Sequence, residues 1–235
     1  MILHVPHAST NLLNKELFNQ ERELLRMTDH FTDDLYDARN VTKIVFGVSR
    51  LICDVERFEN DEREDMSRFG MGVCYFSDSE GQKLRDVSVD ERKNVIENHY
   101  HPHHQRLSDA VDEELQNAGS ALIVDCHSFP DSPYLFNGDF GKKRPDVCLG
   151  TDSFHTPKEL HDKVKKFFLL KGYDVRTNHP YSGTMVPLKH YKKNANARSI
   201  MIEVNRKLYM DEQGYKTEHY PTLKKELKEL LASLE

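Results

Sequence analysis

The segment Ala121-Leu-Ile-Val-Asp-Cys-His-Ser128 constrains this chain more than any other, because an apolar run of strand length ends in Asp125, His127 and a Pro-containing loop. Side chains alternate along a strand, so if the strand persists to its end, Asp125 and His127 share one face, opposite Val124, Cys126 and Ser128. Ligands of open α/β sheets bind at the carboxyl ends of strands. An imidazole there with a carboxylate beside it suits a metal ligand and its orienting partner. A hydrogen-bonded loop histidine is the plainer alternative.

Two more apolar runs end alike. Ile2-Leu-His-Val-Pro-His-Ala-Ser-Thr10 places His7 just past Pro6, and Ser199-Ile-Met-Ile-Glu-Val-Asn-Arg206 carries Glu203 within a strand. Burying an unpartnered carboxylate costs several kcal/mol by rough estimate, so Glu203 must be protonated, paired, metal-bound or at a cleft edge. Its structural alternative is an ion pair with Arg206 or Arg198.

A chain of 235 residues, 37% of them hydrophobic, can bury one sizeable core, and no Pro/Gly/Ser linker divides it, so residues 1–235 are expected to form a single domain. The net charge of −6, with acidic and basic residues interleaved, offers no field for a nucleic acid. With no long apolar window and no leader-like start, neither a membrane partner nor a secretory route is expected, and the reading is cytoplasmic. Cys53, Cys74, Cys126 and Cys148 lie scattered in apolar segments without Cys-x-x-Cys spacing, which indicates reduced core thiols.

Helical periodicity marks Asn14 to Arg26, Asp33 to Arg39, Val89 to Asn98, His103 to Asn117, Pro157 to Lys171 and Tyr220 to Leu234. Strand-like runs cover Ile2 to Val5, Lys43 to Val48, Ser49 to Val55, Ala121 to Cys126, Val147 to Gly150, Asp174 to Thr177 and Ser199 to Val204. Strands alternating with helices of these lengths predict an α/β fold, three layers α/β/α, with a mixed, mostly parallel sheet. Among the clustered histidines between Asn98 and Gln105, His104 is the candidate for the cleft, with Pro102 opening the following helix.

Two stretches fit neither pattern, and long loops in a compact domain are commonly lids or binding loops. In Glu56 to Gly72, Arg57 or Arg68 could turn inward to take a substrate carboxylate in bidentate fashion; a solvated charged face is the alternative. In Asn178 to Pro187, Gly183 between Ser182 and Thr184 allows close backbone approach to a ligand, or makes an ordinary turn.

Taken together, Val5-Pro-His-Ala-Ser9, Thr28-Asp-His-Phe-Thr-Asp-Asp-Leu-Tyr-Asp37, Ser49-Arg-Leu-Ile-Cys-Asp-Val-Glu-Arg57, Tyr100-His-Pro-His-His104, Val124-Asp-Cys-His-Ser128, Pro145-Asp-Val-Cys-Leu-Gly150 and Ile202-Glu-Val-Asn-Arg-Lys-Leu-Tyr209 resemble the N-formylglutamate amidohydrolase family in order and spacing. The resemblance spans nearly the whole chain and implies a zinc-exopeptidase-like fold and a Zn²⁺ hydrolase acting on the amide of a small N-acyl amino acid. It implies metal ligands His7, Asp29 and His127, with Glu56 in reserve for the acidic place. The chain departs from the family's Asn-Arg-Pro by carrying Glu56-Arg57-Phe58, and it has Tyr181-Ser-Gly-Thr184 where many members have a Lys-Gly-Gly-like turn.

Two imidazoles and one carboxylate leave a zinc position open, as catalytic sites require. Glu203 is then the expected general base, and Arg57 or Arg68 the reader of the substrate carboxylate and a stabiliser of the oxyanion. Arg68, His104, Ser182 and Gly183 complete the expected substrate contacts. A metal-free small-molecule binding protein is the second reading. A third, an enzyme with Ser128 or Cys126 as nucleophile, is disfavoured because no Gly-x-Ser-x-Gly elbow occurs.

Overall fold

Residue parity along the strands organises the structure, a computed structural model that describes residues 1–134 and 141–234. Among these, one sheet contains β1 (Ile2–Val5), β2 (Thr42–Val45), β3 (Ala121–Phe129), β4 (Val147–Gly150), β5 (Val175–Thr177) and β6 (Ala197–Asn205). The order is β2-β1-β3-β6-β4-β5. Strands β2, β1, β3 and β6 run parallel, whereas β4 pairs antiparallel with β6 and β5 runs parallel to β4. The expected mixed, mostly parallel α/β architecture is what the chain adopts.

The helices are α1 (Gln20–Met27), α2 (Thr32–Leu35), α3 (Val89–Val95), α4 (His101–Ala118), α5 (Lys158–Leu170) and α6 (Tyr220–Leu234). Leu3, Val5, Leu122, Val124, Cys126, Ile202 and Val204 face one side, where Val164 and Phe168 of α5 and Leu223, Leu227 and Leu230 of α6 cover them. Ile2, Ala121, Ile123 and Ala197 face the other, against Leu107, Ala110 and Val111 of α4. By alternation His4, Asp125, His127 and Glu203 belong to the α4 side. They lie beyond the stretch that α4 covers with apolar residues, at the carboxyl ends of the parallel strands.

Several predicted elements differ. The helix expected from Asn14 begins only at Gln20, because Leu13, Asn14 and Asn19 have positive φ, which no helix accommodates. Asp33 to Arg39 reduces to the single turn Thr32–Leu35. Ser49 to Val55 is no strand: the amides of Ile52 and Cys53 both bond to the Ser49 carbonyl, folding the run into turns that bury Leu51, Ile52, Cys53 and Val55 in a second core. Its apolar composition reflects that burial, which a strand and a buried turn share. A π-turn, Ile96–Tyr100, joins α3 to α4. Among the described residues no helix is long and apolar enough to cross a membrane.

Candidate active site

β3 runs on to Phe129, so Asp125 and His127 do share a face, and parallel pairing sets His127 directly opposite Glu203. His7 enters from the turn after β1, and Asp29 is tied to that turn by its amide, which donates to the His7 carbonyl at 3.0 Å. The turns after Ser49 deliver Asp54, Glu56 and Arg57 to the same place.

The two imidazoles are fixed differently. His7 Nε2 donates to Asp54 Oδ1 at 2.9 Å, and Asp54 is itself held by Arg50, the Tyr75 hydroxyl and the Glu56 amide. Its Nδ1 is buried without a hydrogen-bond partner and lies 3.8 Å from Asp29 and 3.9 Å from Glu56. Burial, reinforced by the Arg50 guanidinium, lowers the His7 pKa, leaving the ring in the neutral form that coordination needs. His127 is ringed by carboxylates: Nδ1 donates to Asp29 at 3.1 Å, while Nε2 lies 3.1 Å from Asp125 and 3.2 Å from Glu56. Burial alone would strip its proton, but Glu56 and Asp125 outweigh burial and raise its pKa well above the ordinary value.

That surplus of negative charge around a proton is the test of whether a metal belongs here. A divalent cation would take the proton's place with the same electrostatic sign, and His7 Nδ1 would gain the partner it lacks. One donor atom from each of His7, Glu56 and His127 lies within 4.8 Å of the others. The donor set therefore fits a cation such as zinc.

The acidic place divides by ring nitrogen. Asp29, the ligand expected from sequence, meets Nδ1 of His127 and also accepts from Arg206 Nη2 at 2.8 Å. Glu56 meets Nε2 and lines the cavity, which Asp29 does not. Whichever nitrogen coordinates, the carboxylate on the other one orients the ring.

Glu203 is 6% exposed and its Oε2 has no partner. Burial pushes its pKa up to about 8, with His127 opposing and Asp29 and Glu56 adding to the rise. Neither of the alternative ion pairs forms: Arg206 serves Asp29 and Ser128, and Arg198 reaches the Ser120 hydroxyl.

An inner cavity of about 300 Å³ opens onto Glu56 and Asp125, and Arg57, His104, Ser182 and Gly183 line it, together with Thr184 and Met185. The Arg57 Nε donates to the Met71 carbonyl at 3.2 Å and lies 3.7 Å from Asp54. The His104 ring packs at a tilt against Tyr100, centroids 4.2 Å apart, and its Nε2 is buried without a partner. Gly183 has φ +88°, and a Cβ on Gly150 would stand 2.2 Å from the Gly183 carbonyl oxygen, so the loop rests directly on β4. Arg68 is set apart: the 3-10 turn Asp65–Phe69 carries it outward, over the Phe69 ring at 4.8 Å, and it does not line the cavity.

Sequence reasoning did not assign Asp54, His4 or His103. His4 Nδ1 lies 2.8 Å from Asp125, and its Nε2 lies 2.9 Å from His103 Nε2. The parity that placed Asp125 and His127 together could have added His4, two residues after Ile2. The alternative nucleophiles are unsuited: burial pushes the Cys126 thiol well up, and the Ser128 hydroxyl accepts from Arg206.

The family model described as N-formylglutamate amidohydrolase matches residues 1–210. An N-formylglutamate deformylase of Pseudomonas putida is 26% identical over 90% of this chain and 82% of its own length. One from Pseudomonas aeruginosa is 23% identical over 100% of this chain and 92% of its length. In fold, the N-formylglutamate amidohydrolase of Ralstonia eutropha JMP134 superposes with a TM-score of 0.85 at 23% identity, covering 99% of this chain and 91% of that one.

Proposed function

This chain belongs to the N-formylglutamate amidohydrolase family, and from that premise we propose that it is a metal-dependent amidohydrolase that cleaves the amide of an N-formylglutamate-like N-acyl amino acid. The observation that carries the reading is the pairing of an unpartnered, neutral His7 Nδ1 with a carboxylate-crowded His127, beside a buried Glu203 whose Oε2 has no partner. His7 Nδ1, His127 Nε2 and Glu56 would hold the cation, and the acidic place passes from Asp29 to Glu56 because Glu56, unlike Asp29, lines the cavity and has a carboxylate oxygen within 4.8 Å of donor atoms of both imidazoles. Asp29, clamped by Arg206, orients His127, as Asp54 orients His7. When bound, zinc would supply Lewis acidity, activating water and polarising the scissile carbonyl.

The remaining steps belong to side chains. Arg57 holds the substrate carboxylate and, close to the reacting carbonyl, offsets developing oxyanion charge. Ser182, Gly183 and His104 wall the substrate and exclude water. Glu203 accepts the proton of the attacking water and returns it to the departing nitrogen. Burial suits it to both roles, because a carboxyl near neutral pKa gains and loses a proton readily.

The test is release of formate from N-formyl-L-glutamate by purified protein, with and without chelator, alongside elemental analysis. Turnover lost on chelation and restored by zinc is expected. Turnover unaffected by complete metal removal would sink the metal-dependent reading.

A further inference from the structure

We propose that the substrate is longer than a formyl amino acid, with an aliphatic acyl chain that ends in a second anionic group and lies in an outer groove beyond the inner cavity. The inference deepens the amidohydrolase reading and rests on it. The inner cavity of about 300 Å³ already accommodates a small N-acyl amino acid, anchored at Arg57. Beside it lies a groove of about 610 Å³, and Phe58, Tyr100, His104 and Leu188 line both spaces, so the two adjoin across these side chains. With the amino-acid end seated at Arg57, the groove is the space left for the acyl end.

The lining indicates the chemistry. Phe58 and Leu188 are 44% and 65% exposed at the junction of the two spaces, a pair of apolar surfaces that a methylene chain would cover. Farther out, Arg63 holds its guanidinium over the Phe58 ring at 5.1 Å and has no carboxylate partner among the described residues, while the nearby Glu59 is engaged by His101 at 2.9 Å. The apolar stretch thus leads to an available cation, which fits an acyl chain with a terminal carboxylate.

The experiment compares N-formyl-, N-hexanoyl- and N-adipoyl-L-glutamate with the metal-replete enzyme. Both six-carbon compounds should exceed the formyl compound in kcat/KM by about tenfold or more, and adipoyl should exceed hexanoyl by roughly threefold, the range of an exposed ion pair. Arg63→Gln should erase the adipoyl advantage over hexanoyl and leave formyl turnover unchanged. A formyl compound preferred over both, or an Arg63→Gln variant that keeps the full adipoyl preference, overturns the proposal. Should none of the three be cleaved, the amidohydrolase reading fails on its own. Calorimetric binding then decides the groove: N-adipoyl-L-glutamate binding more tightly than the formyl compound, and weakened by Arg63→Gln, upholds it, whereas equal or weaker binding removes it.

Discussion

Glu203→Gln keeps the shape of the side chain and removes its titration, so it tests the burial argument and the assignment of the base together. On folding, the carboxyl moves from an ordinary 4.5 to about 8, with burial the largest cause. A carboxyl raised in this way favours the folded state most below pH 4.5 and loses that advantage as pH climbs through 8. At pH 7 the wild-type protein has lost about 3.5 kcal/mol, from roughly 1.4 kcal/mol for each of the 2.5 pH units above 4.5. Glutamine loses nothing over this range. Its buried amide carries a fixed penalty of about 1–3 kcal/mol if unpaired, so the slope is the quantity to measure. Urea denaturation at pH 5, 6, 7 and 8 with chelator present should show the variant gaining on wild type by about 1.4 kcal/mol per pH unit up to pH 7, with the slope flattening toward pH 8. Parallel curves would mean that Glu203 is ionised in the folded protein at pH 7, and the argument from burial would be wrong. With zinc restored, kcat should fall by roughly two to four orders of magnitude while metal content holds. Loss of metal and activity together would place Glu203 among the ligands.

Glu56→Gln should abolish tight zinc binding, whereas Asp29→Asn should weaken it by about 10- to 100-fold, the usual effect of removing an orienting carboxylate; the opposite order in dialysis against a mild chelator would return the acidic place to Asp29. Amidating the α-carboxylate of the substrate should collapse kcat/KM in wild type and change little in Arg57→Gln, and equal turnover of acid and amide by wild type would take Arg57 out of recognition. Gly150→Ala should destabilise the fold by about 1–3 kcal/mol in thermal or urea unfolding, since its Cβ would meet the Gly183 carbonyl oxygen at 2.2 Å; an unchanged midpoint would show that the loop can retreat from β4.

What could be read from sequence was what has a period. The alternation of Asp125 and His127 against Val124 and Cys126 marked the strand and the face that carries the candidate site, and an acid inside the apolar run at Glu203 marked another strand end. Ser49 to Val55 was misread because burial on all sides produces the same composition in a strand and in a tight cluster of turns. Arg68 was misplaced because nothing in an irregular charged loop says which guanidinium a 3-10 turn will carry outward. The choice between Asp29 and Glu56 depends on which nitrogen of one ring each carboxylate meets, a distinction that spacing along a chain does not encode.

The shared register of His127 and Glu203 also limits how this chain can change in length. One residue deleted from β3 ahead of Asp125, with pairing to β6 preserved, would carry the imidazole to the side of Val124 and Cys126, into the apolar layer that α5 and α6 cover, and bring Cys126 and Ser128 to the cleft in place of Asp125 and His127. A two-residue change would restore the side but displace the ring by one full pleat. Insertions and deletions should therefore be excluded from β3 and β6 and tolerated only in connections that carry no residue of the site, and a library of single-residue deletions scored separately for soluble yield and for zinc content should lose both at the same positions in these two strands.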